Sequence, residues 1–406
     1  MLKFWKNIAP INKTYYNRRQ GCAAGKCGAN NGRQPFFRRQ WEETMRKLNK
    51  KAAALMLAAA LSVSGLAGCG SDKVDGTAAA ATVGDTEISM GTANLALRYE
   101  QANREYSYYS MSQGYGLDLG GLEWDEETDG KSSGDQLKED IMDELQQLYV
   151  LKSHAEEYNV SLSDEETQEI SDKAQEFMDA NDAASLEEMG IAKENVEEYL
   201  TLYAYQTKME EAIRAGADTN VTDDVAKQST VSYGVISFNS DETDDDGNKI
   251  PLEGEEKDAL KEKAQALLDA WKEADDAATL DISEYAKEID EDLSGLTYSF
   301  GDDDEILDTK LKEAARTLSD GELYQEVVEG ETSFYVVRMD KTYDPEATEE
   351  RKTAIVEERR QTLYNETLNG WVENSSLELQ SAWKNTKVTD KHDYLFSTQA
   401  DAGEEE

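Results

Sequence analysis

Cys69 is the residue whose surroundings most clearly indicate a chemical reaction. It follows Leu66-Ala67-Gly68, and small residues before a cysteine form the cleavage motif at which the thiol accepts a lipid. A basic segment that starts at Met45 and an apolar run over 52–63 precede the motif, as in a secretory signal peptide. The apolar run is shorter than the roughly 20 residues that a membrane-spanning helix needs. We therefore predict lipidation of Cys69 and anchoring at the outer face of a membrane.

The 44 residues before Met45 are basic and have no sustained apolar period. Because a signal peptide normally begins its chain, we predict that residues 1–44 are a non-native N-terminal extension. Whether translation starts at Met1 or Met45 stays open. Cys22 and Cys27 have a spacing seen in half of a metal site, but no second pair follows, so we predict no metal there.

Charge excludes several classes of function. Residues 1–68 contain 13 of the 42 Lys and Arg residues and two of the 86 Asp and Glu residues, so the remainder has 29 basic and 84 acidic residues and a net charge of −55. Such a surface repels nucleic acid and anionic lipid, so we predict no nucleic-acid partner. Cys69 is the one cysteine left after the signal peptide, so the mature chain depends on its apolar core rather than on disulfides.

The acidic segment 242–253 partly matches a calcium-binding loop. Acidic residues and a glycine occupy positions 1, 3, 5, 6 and 12 of that loop, namely Glu242, Asp244, Asp246, Gly247 and Glu253. Lys249 and Pro251 disagree with the pattern, and a strand rather than a helix precedes it. We favour a solvated hairpin, predict no metal and no cofactor, and leave calcium binding open. The sequence has no Ser-His-Asp arrangement typical of hydrolases, no HExxH zinc-protease motif and no glycine-rich phosphate-binding loop.

Apolar periodicity predicts a helical region over 81–218. The segment 81–89 is typical of a short strand with a Gly-Asp turn and leads into a helix at about 90–106, followed by a tyrosine-rich loop. Leu137, Ile141, Leu145 and Leu148 form an apolar stripe on one helix. Ser163 and Glu166 form a capping box at the start of the next helix, and a further helix spans 193–215.

The pattern changes after residue 220. Strands are predicted at 231–238, 295–300 and 333–339, with helices at 254–274, 282–289 and 305–317. This order predicts a compact α/β module over 229–342. A long polar helix follows Pro345, and 377–388 is predicted as a last strand.

These elements resemble, in their order, the PrsA/SurA-type foldases, which are extracytoplasmic chaperones built around a parvulin domain. The segment 81–89, ATVGDTEIS, is similar to the opening strand of that family. The segment 137–170 is similar to its central helical phrase, in which a Leu-rich helix precedes a capping box. The segments 261–300 and 311–339 are similar to the parvulin core, and the last contains SFYVVRM where the family has a strand with a histidine.

The resemblance implies a proline pocket with two facing histidines, and this chain departs from that pattern. It places Gly234 at the first histidine position and Tyr335 at the second, so no catalytic residue is assigned. The two histidines after the signal peptide, His154 and His392, lie outside 229–342, and His154 is interpreted as a solvated or capping side chain. The candidate proline or client pocket that the resemblance implies consists of Phe300, Leu307, Leu311, Phe334 and Tyr335.

We therefore predict an α+β fold in which a helical chaperone domain, made of N- and C-terminal segments together, contains an inserted parvulin-like α/β module. The predicted function is that of a membrane-anchored foldase or chaperone for unfolded or nascent secreted proteins, weak or inactive as an isomerase. An active peptidyl-prolyl isomerase, a solute-binding lipoprotein and a homodimer stay open. The predicted segments are the extension 1–44, signal peptide 45–68, tether 69–80, helical domain 81–218, parvulin-like domain 229–342, C-terminal helix and strand 345–390, and disordered tail 391–406.

Overall fold

A computed structural model describes residues 60–63, 73–115, 122–128, 130–243, 249–388 and 394–397. Within this part of the chain, no helix combines the length and the apolar character needed to cross a membrane. The described residues form an α+β fold, which confirms the predicted fold class. They divide into two compact units, a helical unit within Gln34–Asp218 and Arg359–Glu406, and a sheet module at Thr219–Glu358.

The described helices, in chain order, are α1 (Met90–Tyr115), α2 (Ser133–Ser153), α3 (Asp164–Ala180), α4 (Ala183–Glu188), α5 (Lys193–Arg214), α6 (Asp223–Ala226), α7 (Gly254–Glu273), α8 (Ile282–Ile289), α9 (Thr309–Ala315), α10 (Pro345–Asn374) and α11 (Ser381–Lys384), with a 3-10 turn at Glu156–Tyr158. The strands are β1 (Ala60–Val63), β2 (Ala79–Val83), β3 (Thr86–Ser89), β4 (Glu127–Thr128), β5 (Lys131–Ser132), β6 (Ser229–Ser237), β7 (Asn239–Thr243), β8 (Lys249–Pro251), β9 (Ser294–Phe300), β10 (Val328–Glu329), β11 (Ser333–Lys341), β12 (Leu377–Leu379) and β13 (Tyr394–Ser397).

The helical unit buries the apolar stripe of α2, whose four predicted leucine and isoleucine residues are at most 1% exposed. Helices α1, α3 and α5 contribute side chains to the same core, and β12, β2 and β3 form a small antiparallel sheet in this unit. The predicted capping box is confirmed: Ser163 accepts a hydrogen bond from the amide of Glu166, and Glu166 accepts one from the amide of Ser163. Both bonds satisfy amides that the first turn of α3 cannot pair internally.

Three local predictions in this unit are wrong. Helix α1 continues through the segment predicted as a tyrosine-rich loop, as far as Tyr115. The predicted strand at 377–388 ends at Leu379, because α11 follows and buries Trp383 in the core. Within the predicted disordered tail, β13 pairs antiparallel with β1, so these four residues have regular backbone structure. In each case tertiary packing or pairing outweighs local sequence preference.

The sheet module contains a four-stranded antiparallel sheet in the order β10-β11-β6-β9. Its two faces lie against different helices, and successive side chains of a strand alternate between the faces. On one face, Ile236 and Phe334 pack with Leu267 and Trp271 of α7 and with Ile282 of α8. The other face packs against α9. The module therefore has two separate apolar cores on the two sides of one sheet.

Asp344 joins the end of β11 to the start of α10 within the sheet module. Its Oδ1 accepts hydrogen bonds from the amides of Glu346 and Ala347, at 3.1 and 3.3 Å, and so caps the helix. Its Oδ2 accepts from Thr230 at 2.8 Å and from Lys341 at 2.9 Å. Burial raises the pKa of Asp344, but Lys341, Thr230 and the helix amide outweigh burial, and the net pKa is lowered below its ordinary value.

This lowered pKa predicts a pH-dependent contribution to stability. Asp344→Asn keeps a capping side chain but loses the charge, so we expect a loss of about 1–2 kcal/mol at neutral pH. A carboxyl group whose pKa is lower in the folded than in the unfolded protein stabilises the folded state fully when the pH is above the unfolded-state pKa. This stabilisation is lost as the pH falls through the folded-state pKa. The difference between wild type and variant should therefore shrink below about pH 4. Amide hydrogen exchange of β6 and β11 at several pH values measures it, and a pH-independent difference would contradict the assignment.

Candidate functional site

A group of partly buried tyrosines lies on the α9 side of the sheet module. We call it the tyrosine face, and its tyrosines are Tyr233 on β6, Tyr298 on β9, Tyr324 before β10 and Tyr335 on β11. Leu296 belongs to the same face, because it stands directly opposite Tyr233 in the antiparallel register of β6 and β9. Its 48% exposure makes it one of the few large apolar side chains that the module presents to solvent.

The centre of the face is an aromatic pair. The rings of Tyr233 and Tyr335 lie 6.0 Å apart at an interplanar angle of 71°, which is an edge-to-face contact. Tyr298 donates a hydrogen bond of 2.9 Å from its hydroxyl to Oδ2 of Asp304. Asp304 in turn accepts from the amide of Leu307 at 2.8 Å, which shapes the loop between β9 and α9. The face therefore presents both aromatic rings and oriented polar groups.

Apolar side chains form the floor beneath these rings. Phe300, Leu307 and Leu311 belong to one buried core with Val231 and Val337. Three of the five residues of the predicted pocket therefore lie together, and Tyr335 is at their border with solvent. The pocket itself stays a prediction.

Two predicted positions lie on the face of the sheet opposite Tyr335. Phe334 packs against α7, on the face opposite Tyr335, because adjacent residues of a strand point in opposite directions. Gly234 likewise points towards α7, and a Cβ at this position would lie 2.2 Å from Cδ2 of Leu267. The β6 residue that faces Tyr335 is Tyr233. A shift of one residue in the sequence comparison changes the face of every side chain in a strand.

Tyr233, Tyr298, Leu296 and Asp304 were not predicted as site residues. The alternation of 229–237 contains the necessary signal for Tyr233, since it places Val231 and Tyr233 on one face. The loop carboxylate could not be predicted in the same way, because its position depends on how the segment 301–308 folds back over the sheet.

The end of the face next to β10 is held by a capping carboxylate. Oδ1 of Asp308 accepts from the amides of Lys310 and Leu311 at 2.8 and 3.3 Å, and Oδ2 accepts from the amide of Glu331 at 3.0 Å. Gly330 allows this approach: a Cβ there would lie 2.4 Å from Oδ2 of Asp308 and 2.6 Å from Cε2 of Tyr335. One carboxylate thus connects the start of α9 to the turn before β11.

The phenols of Tyr233, Tyr298 and Tyr335 have raised pKa values and are neutral at physiological pH. Burial is the main cause that raises the pKa of Tyr335, and the carboxylates of Asp308 and Glu331 add to it. Burial also raises the pKa of Tyr233, followed by Tyr335 and Asp304. Burial and the bond to Asp304 raise the pKa of Tyr298. Neutral phenols can donate a hydrogen bond to a peptide carbonyl, but they do not supply a base.

Other predicted functional residues lie elsewhere or outside the described part. Cys69, His392 and residues 244–248 of the acidic segment lie outside the described residues. The flanks of that segment form the predicted hairpin, β7 with β8. In the helical unit, His154 follows α2, stacks on Trp371 with ring centroids 4.1 Å apart and lies 2.8 Å from Glu157 through its Nδ1. It is a structural residue there.

No protein-family model and no curated protein matches this chain. Among solved structures, the chain is similar to the foldase protein PrsA from Streptococcus pneumoniae, with 16% identity over 66% of this chain and 95% of that one and a TM-score of 0.27. It is also similar to the SurA-like chaperones PEB4 and Cj1289 of Campylobacter jejuni, with 12% identity, 75% and 99% coverage and a TM-score of 0.25. A third similar structure is the peptidylprolyl isomerase PrsA of Bacillus cereus, with 18% identity over 63% of this chain and 88% of that one and a TM-score of 0.27. At these values the likeness does not establish a function.

Proposed function

We propose that this chain is a membrane-anchored extracytoplasmic chaperone that binds unfolded or nascent secreted proteins through the tyrosine face. The observation that carries the proposal is a set of half-buried tyrosines with an exposed leucine, above an apolar floor, in a module otherwise covered on both faces. Aromatic rings with polar tips suit a binding surface, because they bury large area at a small cost in conformational entropy. The ordered resemblance of the sequence to foldases supports the same interpretation.

Weak or absent isomerase activity belongs to the proposal. Rotation about an X-Pro bond has a barrier of about 18–20 kcal/mol, which an enzyme must lower by distorting or desolvating the imide. The resemblance places Tyr335 at the second histidine position and Gly234, which has no side chain, at the first, and Tyr233 next to Gly234 faces Tyr335 instead. The raised pKa values of both tyrosines keep them neutral. They could orient a client carbonyl without forming the histidine hydrogen-bond network. Binding without strong catalysis follows.

The location in the proposal depends on the sequence around Cys69. A lipid group that carries two acyl chains and forms one bond to the thiol sulfur, together with a further acyl chain on the same protein, meets the requirement of two signals for stable membrane anchoring. The acidic surface keeps the body soluble and away from anionic headgroups. A client that emerges unfolded at the outer face of the membrane would meet the sheet module there. Metabolic labelling with a fatty acid, compared between wild type and Cys69→Ala, tests the anchor directly.

Removing the two central rings tests the client site. We expect the variant Tyr233→Ala/Tyr335→Ala to bind an unfolded client about tenfold more weakly and to suppress its aggregation correspondingly less. Tyr343→Ala is the matched control, because Tyr343 is a tyrosine of the same module with 42% exposure that bonds to Asp223 rather than to the face. Light scattering of a denatured secreted protein, with increasing amounts of each variant, measures the effect.

Two results would decide between chaperone and isomerase. If the double variant suppresses aggregation as well as Tyr343→Ala does, the tyrosine face is not the client site. A proline-peptide assay run on the same proteins tests the active-isomerase alternative, which the aromatic pocket with its apolar floor favours. Accelerated cis–trans exchange that the double variant abolishes would establish that alternative.

A further inference from the structure

The open edge of the sheet module is formed by β9, the last strand in the order β10-β11-β6-β9. The register shows which of its residues face outward. The amide of Tyr324 donates to the carbonyl of Val337, so the backbone amide and carbonyl of Val337 point away from β6. The backbone groups of its neighbours Val336 and Arg338 therefore point towards β6 and bond to it. Gly234 stands opposite Val336, so its backbone groups bond to β11. The backbone groups of the next residue along the strand, Tyr233, point the other way and bond to β9.

The same alternation continues into β9. Leu296 stands opposite Tyr233 and uses its backbone groups to pair with β6. Gly295, Thr297 and Ser299 consequently direct their amide and carbonyl groups away from the sheet. Among the described residues, none of these groups has a backbone partner outside the β6–β9 ladder. Thr297, at the centre, is exposed.

This edge lacks the features that normally protect edge strands. Natural sheets block their edges with lysine, proline, bulges or inward-pointing charges, because a bare edge accepts another strand. Strand β9 reads SGLTYSF, without charge or proline, and its register with β6 runs unbroken over seven pairs. The strand is therefore long, regular and unprotected.

Charge selects the kind of partner. Carboxylates flank β9 on both sides, at Asp290, Glu291 and Asp292 before it and at Asp302, Asp303, Asp304 and Glu305 after it. Four cationic side chains pair with members of this group, namely Lys263, Arg316, Lys312 and Arg351, which leaves three negative charges in excess. With a net charge of −55 beyond residue 68, a second copy of the chain would be repelled, whereas a basic segment would be attracted.

We propose that an extended client segment in which basic and apolar residues alternate adds to β9 as a fifth strand. This inference deepens the proposed chaperone function and depends on it for the identity of the partner. The backbone of the segment would bond to Gly295, Thr297 and Ser299. Its apolar side chains would lie beside Leu296 and Tyr298 and so extend the tyrosine face, while its basic side chains would meet the flanking carboxylates.

One substitution blocks the edge without removing the pairing to β6. Thr297→Pro eliminates the outward amide, and proline is tolerated on edge strands whose N–H faces solvent. It also removes the hydroxyl that bonds to Ser232 at 2.9 Å. Thr297→Val is the matched control, since it loses the same hydroxyl but keeps the amide. The probe is a short fluorescent peptide that alternates lysine with valine and contains no proline.

We expect Thr297→Pro to weaken peptide binding at least about tenfold and Thr297→Val by no more than about twofold. Binding to wild type should also weaken as salt is added. Equal binding by the two variants would overturn the proposal. If hydrogen exchange shows that Thr297→Pro disturbs β6, the wild-type protein is tested with the same peptide N-methylated along its centre, and undiminished binding of that probe would overturn it.

The aggregation assay separates this inference from the proposed function. Suppression that persists in wild type and Thr297→Pro alike, without peptide binding, overturns the edge site and leaves the chaperone function standing. Edge-dependent peptide binding with no suppression by wild type supports the edge site and removes the chaperone function. Self-association that Thr297→Pro abolishes, measured by sedimentation, would make a second copy the occupant and overturn the client assignment.

Discussion

Gly295→Ala should destabilise the sheet module by about 3–5 kcal/mol, the largest effect that we expect from adding one methyl group to this protein. A Cβ at this position would lie 1.8 Å from the carbonyl oxygen of Ile282 and 2.8 Å from the amide nitrogen of Ser283. Both atoms belong to the backbone at the start of α8, so neither can rotate away as a side chain could. Either α8 leaves the sheet or β9 separates from β6.

Two further glycines provide a graded control. A Cβ at Gly234 would meet the end of the Leu267 side chain, at 2.2 Å, and leucine can adopt another rotamer at a moderate cost. A Cβ at Gly370, in helix α10, would have no atom within 4 Å, so Gly370→Ala should stabilise by up to about 1 kcal/mol. Hydrogen exchange of β6 and β9 measures the stability of Gly295→Ala relative to Gly234→Ala. If the two variants are equally stable, the packing of α8 against Gly295 is contradicted.

Arg338→Met should cost about 3 kcal/mol, because it breaks a buried ion pair and leaves its partners unsatisfied. Arg338 is 4% exposed and donates to Asp340 at 2.6 Å and to the carbonyls of Ala277 and Leu280 at 2.8 and 3.1 Å. Its guanidinium also lies 5.2 Å from the centre of the Trp271 ring. One side chain thus attaches β11 to the segment that follows α7.

A double-mutant cycle measures the ion pair separately from the rest. Arg338→Met, Asp340→Asn and their combination should give a coupling of about 1–3 kcal/mol, because the two groups share one buried network with Ser232. Arg338→Lys keeps the charge but lacks the planar fork, so it should fall between wild type and Arg338→Met. Chemical denaturation and hydrogen exchange of 274–281 are the measurements. Strictly additive losses would show that the charge pair contributes little beyond packing.

Most elements could be predicted from the sequence because their signals are local. Helix α8 was predicted at 282–289, where the structure has it, and α7, β9 and β11 differ from prediction by a few residues. Asp and Ser residues at helix starts, and alternating apolar residues in strands, act within a few positions of the chain. Helix α9 is shorter than predicted and begins at Thr309, because Asp308 caps it there.

The candidate site was predicted less well, for a geometric reason. The resemblance includes Gly234 and Phe334, and both lie on the α7 face of the sheet. The resemblance alone assigns Leu307 and Leu311 to the pocket, and both lie on the α9 side of the sheet. The open edge at β9 was not visible from the sequence, since strand order and the outward direction of each amide depend on non-local pairing.

The sequence by itself determined the net charge and the single cysteine beyond residue 68, the order of helices and strands, and the residue types available to a site. Each of these depends on composition or on neighbours along the chain. Only the tertiary structure decided that Tyr233 rather than Gly234 faces Tyr335, that Asp304 bonds to Tyr298, and that β9 is an edge. These facts depend on register, and in a sheet with a side-chain period of two, one residue separates opposite faces.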